Sequence, residues 1–111
     1  MRRKSTRKVI WSPLSLRDVH DLGRYLVRKV SIAKAEVVIT SVLMAGNVLW
    51  EQPRLWRIRD DLHPGLRLAL VKPYVICYII ENGAVQIVRA LHDAQDIVAA
   101  LSEGPFSNNT L

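Results

Sequence analysis

The chain has 111 residues, half of them hydrophobic and 23% charged, which excludes an intrinsically disordered chain and leaves room for one hydrophobic core. Its formal net charge is +6, which favours acidic partners such as nucleic acid or an acidic protein surface. The single cysteine, Cys77, excludes an internal disulfide and is in keeping with a reducing compartment. The longest uncharged run, Val37 to Trp50, is shorter than the roughly 18 residues that cross a bilayer. We therefore expect a cytoplasmic protein with no membrane span.

The N-terminal half is predicted to hold a short strand at 9–11 followed by an antiparallel helical hairpin. Ser12 and Pro13 are typical of a helix start, because the hydroxyl accepts a backbone N–H and proline lacks only a donor that the first turn leaves unused. Ser31 is placed to cap a second helix, and Pro53 ends it because proline cannot continue the hydrogen-bond ladder. Apolar residues at helical spacing give each helix a hydrophobic side, and they include Leu22 and Leu26 in the first helix and Val42 and Leu49 in the second.

The C-terminal half is predicted to form three strands. Asn82-Gly83 separates the last two and is a strong hairpin signal, because both residues tolerate positive φ. The strand before it is apolar throughout, as expected for a central strand. Together the elements predict an α+β domain of order β-α-α-β-β-β with a short C-terminal helix. The predicted bounds are a charged connector at 54–65, strands at 66–71, 74–80 and 84–91, a last helix at 92–101, and tails at 1–8 and 102–111 around a domain at 9–101.

The sequence lacks the spacings that most forms of site chemistry require. His20, His63 and His92 are scattered and Cys77 falls in a predicted core strand, so no set of metal ligands is indicated. No nucleophile elbow and no glycine-rich phosphate loop is present. We therefore expect neither a metal nor a cofactor.

A group of basic residues on the predicted sheet is the main candidate for contact with a macromolecular target. Arg67 opens one strand, and Arg89 and His92 lie at the end of another, so we expect the three to approach one end of the sheet. Arginine offers a planar fork to phosphate or carboxylate, and histidine exchanges protons near neutral pH. The alternative is structural: Arg89 pairs with Asp93 or Asp96 and ties down the last helix.

Two tryptophans could each lie in the core or at a contact surface. Trp50, at the end of the second helix, is expected in the core, since aromatic side chains dominate core burial. Trp56 lies in the charged connector between Arg54 and Arg57. A tryptophan exposed beside arginines suits a protein interface or base stacking, and the alternative is again a place in the core.

Residues 53–97 carry a series of short stretches in a characteristic order. They are Pro53, Arg57-Ile58-Arg59-Asp60, Pro64-Gly65-Leu66-Arg67, Tyr74-Val75-Ile76-Cys77-Tyr78 and Ile87-Val88-Arg89-Ala90-Leu91-His92-Asp93-Ala94-Gln95-Asp96. With the Trp11-Ser12-Pro13 opening and the helix pair, this order resembles the ParE branch of the RelE/ParE toxins over about residues 9–101. The sequence departs from the ParE pattern at Trp56, where a glycine is common, and at Gln95, where an arginine is common.

The resemblance implies a fold, a partner and a target. It implies a curved antiparallel sheet with two helices against one face, and an antitoxin that wraps across the apolar surface of the toxin. ParE-like members are associated with inhibition of DNA gyrase, whereas RelE-like members cut messenger RNA in the ribosome. The RelE branch uses several basic residues and often a C-terminal tyrosine; here no tyrosine follows Tyr78, and Leu91-His92-Asp93 stands where another basic residue is expected.

The leading hypothesis is therefore the toxin of a type II toxin–antitoxin system, of the kind linked to plasmid stabilisation and growth arrest. It would inhibit gyrase by protein–protein contact rather than as an enzyme, and would form a hetero-oligomer with an antitoxin, for which an acidic protein suits the positive charge. Target contacts are expected from Trp56, Arg57, Arg59, Arg67, Arg89, His92 and Asp96, and antitoxin contacts from Leu22, Leu26, Val42 and Leu49.

Two alternatives remain. The first is a ribosome-dependent endoribonuclease that acts on messenger RNA through Arg67, Arg89 and His92. The second is a protein that has lost toxicity and keeps only its antitoxin partner.

Overall fold

Two helices packed on a four-stranded sheet make up most of the described chain, which comprises residues 8–92 and 97–102 of a computed structural model. The predicted order of elements is confirmed, and a short helix follows the sheet. Of the predicted tails at 1–8 and 102–111, only Lys8 and Ser102 fall within the described residues. The elements are β1 Lys8–Trp11, α1 Pro13–Lys29, α2 Ile32–Asn47, β2 Arg67–Val71, β3 Tyr74–Glu81, β4 Ala84–His92 and α3 Ile97–Ser102.

Both helices of the hairpin begin at the predicted serine caps. The Ser12 hydroxyl accepts the Ser15 N–H at 2.9 Å, and the Ser31 hydroxyl accepts the Lys34 N–H at 3.0 Å, so each satisfies a donor that the first turn leaves open. Helix α2 ends at Asn47 rather than at Pro53. A turn of 3₁₀ helix, Leu49–Glu51, follows it, as is common where a helix terminates.

The sheet has the order β1-β4-β3-β2 and is mixed. Strands β2, β3 and β4 form an antiparallel meander, and Asn82 (φ 54°) with Gly83 (φ 74°) makes the predicted hairpin turn. Strand β1 pairs with β4 in parallel, Lys8 opposite Ala84 and Trp11 opposite Ile87. The expectation of a wholly antiparallel sheet is therefore wrong for β1, because a short apolar run does not encode the direction in which its strand pairs.

Both faces of the sheet are covered. On one face the hairpin closes over a core that includes Val42, Leu49 and Tyr78. On the other face, α3 and the connector close over a second core that includes Leu66, Cys77 and Leu101. This two-sided burial explains why β3 is apolar along nearly its whole length.

Within the described residues, one helical stretch, Ile32–Glu51, is long and apolar enough to cross a membrane by length and composition alone. A helix that packs into the core of a soluble protein passes the same test, and α2 contributes Val42 to the core beneath the hairpin.

Candidate functional site

Arg89 is a buried residue, only 8% exposed, and it forms an ion pair with α1. Its Nε and Nη2 atoms donate to the two carboxylate oxygens of Asp18 at 2.8 and 2.9 Å, and Nη1 donates to the Ala100 carbonyl at 2.8 Å. The guanidinium of Arg89 is therefore held between α1 and α3 rather than presented at the surface, and its role in target binding or RNA cleavage stays a prediction. The alternative partners, Asp93 and Asp96, lie outside the described residues.

Asp18 also completes an open edge of the sheet. Strand β1 ends at Trp11, so within the described residues the later part of β4 has a strand, β3, on one edge only. There Ser12 donates its N–H to Ile87 O at 2.9 Å and its hydroxyl to Val88 O at 3.1 Å. The Asp18 carboxylate then accepts the Ala90 N–H at 2.9 Å. Ser12 and the start of α1 thus cover the part of the β4 edge that β1 does not reach, which makes the Asp18–Arg89 pair part of the fold.

The structure does not bring Arg67, Arg89 and His92 together. Arg67 is opposite Tyr78, whereas His92 is opposite Tyr74, so their levels in the sheet differ by four residues, or about 13 Å along the strands. The expected convergence is wrong because an antiparallel meander places the start of β2 beside the end of β3, and the end of β4 beside the start of β3. A common site for the three side chains is therefore not formed.

Arg67 and Tyr78 anchor the connector to the sheet. Arg67 Nη1 donates to the Trp56 carbonyl at 2.5 Å and lies 3.4 Å from the Arg54 carbonyl. The Tyr78 hydroxyl donates to the Pro53 carbonyl at 2.7 Å. Burial raises the pKa of the Tyr78 phenol, so the group stays protonated and able to donate. No residue pattern predicts these contacts, since their acceptors are backbone carbonyls.

His92 lies in a cleft between α1 and the end of the sheet. Its ring meets that of Tyr74 edge-on, with centroids 5.4 Å apart and planes at 83°. The cleft has a volume of about 590 Å³, and Leu22 and Tyr25 line its helical wall. Burial, with a smaller effect of Tyr25, raises the pKa of Tyr74. The cleft therefore presents two tyrosines and one histidine on a largely apolar floor.

The connector presents a mixed apolar and basic surface. Leu55 is 67% exposed and Ile58 41% exposed, with the exposed Arg54 and Arg57 beside them. We call these four residues the connector surface. Trp56 does not belong to this surface, because it packs against the core beneath the hairpin. Of the two interpretations of Trp56, a core residue or an exposed contact, the structure favours the core residue. Trp50 packs against the same core, as expected.

Arg59 is engaged within the connector itself. It forms a bidentate pair with Asp61, at 3.0 Å from Nε and 2.9 Å from Nη2. The hydrogen bond from Arg59 lowers the pKa of the Asp61 carboxyl. A target that used Arg59 would first have to displace this local partner, whereas Arg57 is exposed.

A groove of about 820 Å³ runs between α1 and α2 on the outer side of the hairpin. Three of the four residues predicted to bind the antitoxin are buried: Leu26 and Leu49 are 7% exposed and Val42 is 1% exposed. Leu49 and Val42 belong to the core beneath the hairpin, and Leu26 lines the cleft of His92; a role of the three in antitoxin binding stays a prediction. Leu22 is half-buried and lines the cleft of His92.

The described residues hold no cluster of three or more histidine, cysteine or acidic side chains suited to a metal ion. Cys77 is buried, and burial raises the pKa of its thiol to about 12. Neither thiolate nor metal chemistry is therefore indicated in the described parts of the chain.

Comparisons with known proteins assign the family. Residues 9–97 match the family model described as ParE toxin of type II toxin-antitoxin system, parDE. Toxin ParE3 of Caulobacter vibrioides is 41% identical over 51 residues, which are 46% of this chain and 51% of that protein, so the chain spans about half the length of this relative. A solved structure described as the chromosomal ParDE TA system from P. aeruginosa has the same fold, with a TM-score of 0.71 at 16% identity over 78% of this chain and 96% of that one. The chain belongs to the ParE toxin family of type II toxin–antitoxin systems.

Proposed function

We propose that this chain inhibits DNA gyrase by protein–protein contact and is held inactive in the cytoplasm by a cognate antitoxin, with which it forms a hetero-oligomer. The observation that carries the proposal is the burial of Arg89 against Asp18. This burial removes Arg89 from the surface, where an RNA-cleaving site on β4 would need it. The match to the ParE toxin family supports gyrase inhibition as the alternative.

Cleavage of messenger RNA is the less favoured function. General acid–base cleavage needs a proton acceptor, a proton donor and a phosphate-binding group within hydrogen-bond reach of one scissile bond. Arg67 donates to backbone carbonyls of the connector, Arg89 is paired, and His92 lies at the other end of the strands from Arg67. The three candidate groups therefore do not surround one point in the described structure, which supports gyrase inhibition over RNA cleavage.

The connector surface is the part of the chain best suited to contact gyrase. Exposed Leu55 and Ile58 supply apolar area. Arg54 and Arg57 supply charge, and neither forms a bidentate carboxylate pair like that of Arg59 with any residue that the structure describes. Apolar anchors beside arginine are the composition that carries most binding energy in protein interfaces. The backbone beneath is fixed by Arg67 and Tyr78, which would limit the entropy lost on binding.

Supercoiling by purified gyrase tests this proposal. The wild-type chain is expected to reduce supercoiling, and Leu55→Ser combined with Arg57→Glu is expected to weaken that inhibition about tenfold or more, as for an interface hot spot. Lys34→Glu changes an exposed charge of α2 in the same way and should leave inhibition unchanged. If the connector variant inhibits as well as the wild type, gyrase contacts another surface; if the wild type does not inhibit, gyrase is not the target.

A further inference from the structure

Two aromatic rings form a right-angled corner in the cleft of His92. The ring planes of Tyr74 and His92 meet at 83°, with centroids 5.4 Å apart. A planar ligand that stacks on one of these rings therefore meets the other at a right angle. Both arrangements are favourable between aromatic rings, so the corner is suited to a flat aromatic group.

The polar groups of the cleft suit a ring that carries nitrogen and oxygen atoms. Tyr25 lies on the helical wall and is 58% exposed. Burial raises the pKa of Tyr74 and Tyr25 adds to that effect, which places the two phenols within electrostatic range of each other. A phenol hydroxyl both donates and accepts hydrogen bonds, and a neutral imidazole has one nitrogen for each role. A nucleobase has donors and acceptors along its edge that match such groups, whereas a hydrocarbon ring has none.

The size of the cleft fits a small molecule. Its volume of about 590 Å³ lies within the range of roughly 300–1,000 Å³ that is typical of small-molecule sites. Leu22, Leu26 and Ala90 supply apolar lining between the polar groups, as such sites usually have. The cleft therefore has room for one base with its sugar.

Two lysines lie at the end of the cleft where α1 finishes. Lys29 is exposed and follows Tyr25 by one helical turn, so it lies on the same side of α1. Lys72 is exposed in the turn between β2 and β3, just before Tyr74. Ammonium groups bind phosphate as point charges, so an anionic group attached to the bound ring would be stabilised here.

The acidic residue of the cleft does not oppose an anion at this end. Asp18 is paired with Arg89 at 2.8 Å, which offsets its charge. It also lies about 16 Å from Lys29 along the axis of α1, at 1.5 Å per residue. The net charge of +6 adds a long-range attraction for anionic ligands.

We propose that the cleft between α1 and the end of the sheet binds a free nucleoside monophosphate. The base lies in the corner of Tyr74 and His92, with Tyr25 on the opposite wall, and the phosphate lies between Lys29 and Lys72. A nucleic-acid strand would require aromatic platforms repeated along a basic groove, whereas the cleft offers one corner. The site is separate from the connector surface, so the inference does not depend on gyrase inhibition.

Calorimetric titration of the full chain with adenosine monophosphate tests the site, with adenosine as a second probe that lacks the phosphate. Tyr74→Leu is expected to weaken the binding of both probes about tenfold or more, because it removes the stacking surface. Lys29→Gln combined with Lys72→Gln should weaken the binding of the monophosphate about tenfold and leave adenosine unchanged. The lysines are exposed, so this second variant keeps the fold even if Tyr74→Leu does not.

Lys34→Gln is the matched control, because it removes an exposed lysine of α2 outside the cleft; its dissociation constant should stay within about threefold of the wild type. Absence of saturable binding by about 1 mM of the monophosphate would overturn the proposal. Binding that the lysine variant does not weaken would also overturn it, because the phosphate then lies elsewhere. An oligoadenylate that binds more than about tenfold tighter than the monophosphate would replace the free nucleotide with a nucleic-acid strand as the ligand.

Discussion

Asp18 of α1 and Arg89 of β4, 71 residues apart in the chain, form a two-point ion pair with distances of 2.8 and 2.9 Å. Their side chains are 12% and 10% exposed, respectively. The same carboxylate accepts a backbone N–H of β4, and the same guanidinium donates to a carbonyl of α3. One pair therefore ties together the hairpin, the sheet and the C-terminal helix.

Asp18→Ala is expected to destabilise the chain by about 3–5 kcal/mol, because it leaves a buried guanidinium without its counter-charge. Asp21→Ala, at an exposed position of the same helix, should change stability by no more than about 0.5 kcal/mol. Urea unfolding followed by circular dichroism measures both. Equal midpoints for the two variants would mean that Arg89 is solvated and that the pair contributes little.

Removal of the Ser12 cap should cost more than removal of the Ser31 cap. Ser12→Ala loses a helix cap and the bond from the hydroxyl to Val88 O on β4, for a total of about 2 kcal/mol. Ser31→Ala loses an exposed cap alone, about 1 kcal/mol. The difference in unfolding free energy between the variants measures the contact with β4, and a larger loss at Ser31 would contradict the edge-covering role of Ser12.

Alanine should have opposite effects on stability at the two glycines of the hairpin. Gly46→Ala forces a methyl group against Trp11, whose indole N–H is also bonded to Asn47 at 2.8 Å, and should cost about 1–3 kcal/mol through overpacking. Gly23→Ala meets an ordinary contact and should stabilise α1 by up to about 1 kcal/mol. Thermal melts of both proteins test the contrast, which would be lost if both variants melted lower than the wild type.

The stability of the chain should fall in alkali partly through Cys77. Burial raises the pKa of its thiol from 9.0 to about 12, so above pH 9 the unfolded chain loses a proton that the folded chain keeps. This contribution is fully present below pH 9 and is lost as the pH rises towards 12, at no more than about 1.4 kcal/mol per pH unit. The stability difference between the wild type and Cys77→Ala should therefore shrink between pH 8 and 11 in urea titrations. Parallel pH profiles for the two proteins would contradict a buried, protonated thiol.

Local signals in the sequence predicted most of the fold. Ser12, Ser31 and the Asn82-Gly83 pair mark boundaries through bonds and φ values set within a few residues, so a pattern of neighbouring residues is enough to find them. The apolar content of β3 likewise reflects burial on both faces of the sheet. These features need no knowledge of distant parts of the chain.

The arrangement of the candidate site could not be predicted in the same way. Whether Arg89 binds a target or a carboxylate depends on Asp18, which looks from the sequence like any polar residue on the outer side of an amphipathic helix. The separation of Arg67 from His92 follows from strand register. The sequence alone does not show which ends of β2, β3 and β4 lie beside each other. The space beside Gly23 depends on where Ile39 of α2 packs, which the sequence of α1 does not show.

Gyrase supercoiling in the presence of the purified chain, at the concentration that stops growth when the chain is expressed, is the most direct test of gyrase inhibition. We expect loss of supercoiling that the antitoxin reverses, with inhibition retained by His92→Ala, because His92 lies in the cleft beside Tyr74 and outside the connector surface. Full gyrase activity at that concentration, together with ribosome-dependent cleavage of messenger RNA that His92→Ala abolishes, would contradict this expectation.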